Sequence, residues 1–260
     1  MCGPRRFGSG VCEALPGFLV DGGRVKFAKR APVSIRRQNL RARARRPPDS
    51  NEAMTREGYP WVLTPLVAAL ASGLLGVWWA AALLLLIAAF MAYFFRDPER
   101  VVPGGAGLVV APADGRVTRV EKLSPGDPRS PSVVSIFLSP FDVHINRAPI
   151  AGVVSDVTYT RGRFKSATRE DASLFNEQNA LTIRGEGLTV VCKQVAGILA
   201  RRIVCWKRPG DRLELGERFG LIKFGSRTDL VLPADVEIEV CVGARVRGGA
   251  TVIGRLGDGR

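Results

Sequence analysis

Ser132-Val133-Val134-Ser135-Ile136-Phe137-Leu138, followed after a Pro-rich break by Gly152-Val153-Val154-Ser155-Asp156-Val157-Thr158-Tyr159, is the stretch that decides the fold. Both runs are short and rich in β-branched residues, and turn formers bound them, which is how strands read. Gly115–Val120, Leu181–Ile183 and Leu188–Val195 repeat the pattern. Gly, Pro and Asp break these runs at regular intervals, so residues 98–260 are predicted to form one mainly β domain. Ahead of it, Trp61 to Phe95 contains no charged side chain. That is longer than the roughly 20 residues needed for one helical crossing of a bilayer and slightly short of two. Ser72-Gly73 and Gly76 sit where a tight reversal would fall. A membrane-associated hairpin of two helices over 54–97 is the first reading, and one crossing through Gly76–Phe95 is the second. Arg56 precedes the segment and Arg96 and Arg100 follow it, so a reversing segment would keep both ends on the cytoplasmic side of the cell membrane.

The chain has 260 residues and a formal net charge of +14. Residues 1–57 carry 13 Lys and Arg against 5 Asp and Glu. Residues 1–53 are rich in Arg, Gly and Pro and show no sustained period, so they are expected to be a disordered extension. Alternatively, the natural start is Met54. A basic excess points to a polyanionic partner. No zinc-finger spacing, RNA-binding aromatic motif or basic zipper accompanies it. With the apolar segment beside it, the expected partner is anionic membrane lipid and not nucleic acid. The 5 cysteines are widely spaced without a Cys-x-x-Cys pair, and there is 1 histidine. The pattern predicts reduced thiols and no metal site.

Gly225-Ser226 in Leu221-Ile222-Lys223-Phe224-Gly225-Ser226-Arg227-Thr228-Asp229 is a bond that a protein can open by itself. Glycine leaves its carbonyl unshielded and tolerates a strained turn. Attack by the Ser226 hydroxyl would convert the amide to an ester. β-Elimination would then release the upstream chain, and hydrolysis of the dehydroalanine would leave a pyruvoyl group and ammonia. Such a ketone forms a Schiff base with an amine and withdraws electrons. A Gly-Ser pair alone is a common turn, as Gly8-Ser9 illustrates.

Three further segments give the pair its meaning: Phe94-Phe95-Arg96-Asp97-Pro98-Glu99-Arg100, Ala111-Pro112-Ala113-Asp114-Gly115-Arg116-Val117, and Ser139-Pro140-Phe141-Asp142-Val143-His144-Ile145-Asn146-Arg147. In this order, with Phe-Gly-Ser near the C-terminus, they resemble the phosphatidylserine decarboxylase proenzymes of the short type, from about Met54 onward. The ending, Val240 to Gly254, resembles the V-x-x-G-x-x-V-x-x-G hairpin of biotinyl and lipoyl carrier domains. It suggests a barrel-sandwich or hammerhead-like catalytic domain.

The resemblance implies self-cleavage into a β chain, 1–225, and an α chain, 226–260, that stay together as a heterodimer, with or without further oligomerisation. It implies a covalent pyruvoyl cofactor from Ser226 and decarboxylation of phosphatidylserine to phosphatidylethanolamine in phospholipid biosynthesis. His144 would be the base in maturation and the acid in turnover. Asp114 would orient it, with Asp142 as the rival for that task. Long-type enzymes carry a second histidine where Arg147 stands here. That leaves His144 serving both steps or Arg147 binding the substrate's anionic groups. Arg161, Arg163 and Lys165 in Thr160-Arg161-Gly162-Arg163-Phe164-Lys165 are the other candidates for the phosphate, with a solvated basic loop as the alternative reading. Two competing readings remain: a decarboxylase of another serine-headed lipid, such as an archaeal-type ether lipid, and a membrane-anchored carrier without enzymatic activity. A carrier would need an exposed lysine at its hairpin tip, and the C-terminal hairpin has none.

Overall fold

Strand pairing begins with a small hairpin, Phe18–Asp21 (β1) against Arg24–Phe27 (β2). In the computed structural model the described residues are these two strands, as backbone, and 54–164, 175–197, 202–223 and 225–257. The rest of the extension expected to be disordered over 1–53 lies outside the described residues, as does Lys165.

Two helices follow, Tyr59–Leu74 (α1) and Trp78–Phe94 (α2). Pro60 sits in the first turn of α1, where a missing N–H costs nothing. Gly76 at φ 77 turns the chain back between them. The apolar segment thus forms two helices joined by a turn, and the second covers most of 76–95. Helices of 16 and 17 residues are about 24–26 Å long. No described helix is long and apolar enough to cross a membrane. Most of the hairpin's large side chains nevertheless face outward, including Leu70, Leu74, Leu75, Trp78, Trp79 and Leu86.

The remaining strands are Leu108–Val110 (β3), Gly115–Lys122 (β4), Ser132–Leu138 (β5), Ile145–Arg147 (β6), Gly152–Thr160 (β7), Gln178–Arg184 (β8) and Thr189–Ala196 (β9). Arg202–Cys205 (β10), Arg212–Leu213 (β11), Arg218–Lys223 (β12), Ser226–Leu232 (β13), Val236–Ile238 (β14), Arg245–Val246 (β15) and Val252–Leu256 (β16) complete the domain. An eight-stranded sheet runs β11-β7-β8-β9-β13-β5-β4-β15. Two three-stranded sheets, β10-β12-β6 and β14-β16-β3, accompany it. The domain is mainly β, as the short β-branched runs predicted.

β13 explains where the site sits. It lies between β5 and β9, paired antiparallel to both, and every residue in it is buried. Leu230 and Leu232 join the main core with Ile136, Leu181, Phe219 and Ile253, while Val231 joins a smaller cluster on the opposite face. Since side chains alternate along a strand, Ser226 and Thr228 share the main-core face. Their cross-strand neighbours on that face include Gln194, opposite Thr228 and next to Asn179. The apolar core therefore becomes a polar layer at the end where β13 begins.

Candidate active site

Ser226 is fully buried, and its hydroxyl has no hydrogen-bond partner. A lone buried hydroxyl costs free energy, so such a group in a native core calls for an explanation. The residue before it, Gly225, has φ 52 with open space around the position a Cβ would occupy. Left-handed backbone here suits glycine.

His144 is another buried group with an unpartnered polar atom. Its Nδ1 lies 2.9 Å from the Asp142 main-chain oxygen, and its Nε2 has no partner. An Nδ1–H donating to that carbonyl leaves Nε2 with its lone pair available, which is the tautomer of a general base. Burial dominates its proton affinity and lowers the pKa to about 4, against the opposing pull of Asp142 and with a smaller contribution from Arg96. The imidazole is therefore neutral at physiological pH.

Backbone and side-chain bonds tie His144 to the strands flanking Ser226. The Ile222 N–H donates to the His144 carbonyl at 3.2 Å. Two residues on, Asn146 Nδ2 donates to Thr228 Oγ1 at 3.0 Å. Asn146 Oδ1 accepts from Gln194 Nε2 at 2.9 Å, and Gln194 Oε1 accepts from Asn179 Nδ2 at 2.9 Å. This chain of amides is the polar layer behind the serine. Gly220 makes room for it, because a Cβ there would lie 2.3 Å from the Val204 carbonyl and 2.9 Å from Gln194 Nε2. Ser226 and His144 each stand two residues from the Asn146–Thr228 hydrogen bond, although no hydrogen bond joins the serine to the histidine.

The other expected site residues are engaged differently. Asp114 does not bond to His144. Its Oδ2 lies 2.6 Å from Arg100 Nη2, and its Oδ1 accepts from the Gly248 N–H at 2.8 Å. Burial raises its pKa against the pull of Arg100. The rival orienter is the one in contact, through the Asp142 carbonyl and not its carboxylate, which accepts from the Ser139 N–H. Arg147 is buried and donates to Asp97 Oδ1 at 3.1 Å and to the Pro98 and Gly216 carbonyls. Arg218 Nε completes the cluster, 2.7 Å from Asp97 Oδ2. Arg147 therefore locks the end of the apolar hairpin to the β domain. Arg163 is exposed, and its backbone pairs with Asn176, whose Nδ2 donates to the Ala196 carbonyl beside Ser226 in the sheet. Among the described residues no cluster of metal-ligating side chains forms. Cys192 and Cys205 are thiols outside any disulfide.

The Asp97 cluster gives a direct stability test. Burial raises the Asp97 pKa, and the two guanidinium groups oppose it. Asp97→Ala would strand two buried cations, so a loss of about 3–5 kcal/mol is expected. A denaturant midpoint that does not move would contradict this.

Comparison with known proteins agrees with the geometry. The profile of the family described as phosphatidylserine decarboxylase matches residues 87–254. Relatives named phosphatidylserine decarboxylase proenzyme include one from Solibacter usitatus, 50% identical over 191 residues, covering 74% of this chain and 90% of its own length. Another, from Symbiobacterium thermophilum, is 49% identical over 208 residues, covering 78% and 95%. A third, from Nitrosomonas europaea, is 45% identical over 202 residues, covering 77% and 94%. These matches make the chain a decarboxylase made as a proenzyme. It belongs to the phosphatidylserine decarboxylase family.

Proposed function

We propose that this enzyme decarboxylates phosphatidylserine to phosphatidylethanolamine with a carbonyl made from its own Ser226, after the Gly225–Ser226 bond has opened. The observation that carries the proposal is the buried, partnerless Ser226 hydroxyl directly after a glycine in left-handed backbone. His144 Nε2 takes the hydroxyl proton as Oγ attacks the Gly225 carbonyl, and the amide becomes an ester. Loss of the Ser226 α-proton then expels the Gly225 carboxylate. Water converts the resulting dehydroalanine to a pyruvoyl group and ammonia. That group supplies an electron sink for the substrate's amine when CO₂ departs. His144 holds the proton that the carbon left behind requires.

Sheet pairing supports a retained heterodimer. The fragment 226–260 contributes β13, hydrogen-bonded on both sides to strands of 1–225. Asn146 to Thr228 adds a side-chain bond across the cut. The main sheet and its two small companions are consistent with a barrel-sandwich arrangement. The exposed apolar hairpin supports attachment to the membrane, and the arginines that flank it, Arg56, Arg96 and Arg100, support a catalytic domain on the cytoplasmic side. Arg163 stands at the serine end of the sheet, suited to the lipid phosphate. Exposed basic residues contribute about 1 kcal/mol each near an anionic surface.

Vesicles containing phosphatidylserine test both parts. Purified chain should release CO₂ and leave phosphatidylethanolamine. Replacing Trp78, Trp79 and Leu86 by Ser should release the protein from vesicles and slow turnover of bilayer substrate at least tenfold, with self-cleavage intact. A variant that still sediments with vesicles after a salt wash would place the anchor elsewhere. Absence of CO₂ release by the unaltered, cleaved chain would contradict the activity.

A further inference from the structure

We infer that Phe94, the last residue of α2, is a positioning residue for His144, so that the apolar hairpin forms one wall of the catalytic site. The inference rests on the reading of His144 as the base.

The Phe94 and His144 ring centroids are 4.2 Å apart with planes tilted by 35°. Phe94 is 1% exposed and His144 3%. Neighbouring rings hold Phe94 in turn: Phe95 meets it edge-on at 5.0 Å, and Phe90 lies 6.5 Å away. The same helix end also grips the loop that carries the histidine. Phe90 packs edge-on against Phe141 at 6.2 Å. The Phe141 carbonyl accepts from Tyr93 Oη at 3.3 Å and from Arg96 Nη2 at 2.8 Å. Rings, hydroxyl and guanidinium from one helix end thus converge on residues 141–144.

An imidazole has two rotatable bonds to fix. The Nδ1 contact with the Asp142 carbonyl sets the direction of the ring, and the Phe94 face sets its tilt and keeps water off it. Together they aim Nε2 without occupying it. The charged groups around the pair are Asp142 from the same loop and Arg96 from the helix end, with the Lys223 ammonium from β12 lying 5.6 Å from the Phe95 ring. Of these, Asp142 favours the protonated ring and Arg96 the neutral one, and burial outweighs both.

Removing the Phe94 face should therefore do two things at once. Water would reach the ring, raising its pKa from about 4 toward the ordinary 6.5. The freed ring would also spend less time aimed at the serine, a loss of roughly ten- to a hundredfold in self-cleavage for a displacement of about 1 Å.

Since His144 is the only histidine, its imidazole can be followed alone by NMR of histidine-labelled full-length chain in micelles. The titration is made in the Ser226→Ala background, so cleavage does not enter it. Self-cleavage is timed separately with Ser226 present, across pH. Phe94→Leu should move the titration midpoint and the acid limb of the cleavage profile upward together and slow cleavage at neutral pH. Phe94→Tyr, which keeps a ring, should restore both. Phe94→Leu with an unchanged titration, or with an unchanged cleavage rate, overturns the inference. Absence of cleavage in the unaltered chain would instead overturn the reading of Gly225–Ser226, and the titration would still decide the role of Phe94.

Discussion

Ser226→Ala is expected to leave the chain in one piece and without decarboxylase activity. In the proposed chemistry the hydroxyl is both the nucleophile that opens the bond and the source of the carbonyl, so no other side chain can compensate. The variant should fold, because alanine removes a buried hydroxyl that has no partner and leaves the β13 ladder untouched. Its stability should equal or slightly exceed that of the uncleaved parent. Cleavage at an unchanged site in this variant would remove Ser226 from the chemistry.

His144→Ala is expected to slow self-cleavage by about 10²–10⁴-fold, the usual contribution of a positioned general base. The cleaved fraction has to be followed over time, because any activity lost for want of maturation reports nothing about turnover. The pH dependence follows from the same group. The base works when neutral, so the cleavage rate of the unaltered chain should be flat near neutrality and fall as pH drops through about 4. Stability has the same sign. The native pKa lies below the ordinary value of 6.5, so between those values the unfolded chain binds a proton that the native chain does not. Stability from this group is therefore complete above about 6.5 and declines as pH falls toward 4. Normal cleavage kinetics in His144→Ala would remove the imidazole from maturation.

How far the chain can be read without coordinates depends on how far apart the interacting residues lie. Strands β4, β5, β7 and β9 were legible because each is a short run rich in β-branched residues bounded by turn formers. β13 was not, because Arg227 and Asp229 look like surface residues in sequence. In the fold they form a buried ion pair, 2.8 Å apart, on the sheet face opposite Ser226. β8 begins earlier than its apolar centre suggests, since Gln178 and Asn179 extend the ladder into the polar layer.

The serine, its glycine and the histidine could be picked out by motif, but their partners could not. Asp114 looked like the carboxylate for His144 and is held by Arg100 and the Gly248 amide, the latter 134 positions away in sequence. Arg147 looked like a substrate ligand and is consumed by Asp97 at the end of the hairpin. The Phe-Phe-Arg-Asp segment shows its purpose only in three dimensions. Its second half ties the hairpin to the β domain through Asp97, and its first half lays Phe94 on the histidine. A deletion of the hairpin that is meant to leave the catalytic domain intact must therefore stop short of Phe90.

Intact mass spectrometry of active, purified protein measures the central chemistry most directly. Self-cleavage predicts two masses that divide the chain between Gly225 and Ser226, with the fragment 226–260 beginning in a keto group instead of an amine. A single mass for the uncut chain, in a preparation that decarboxylates phosphatidylserine, would contradict it.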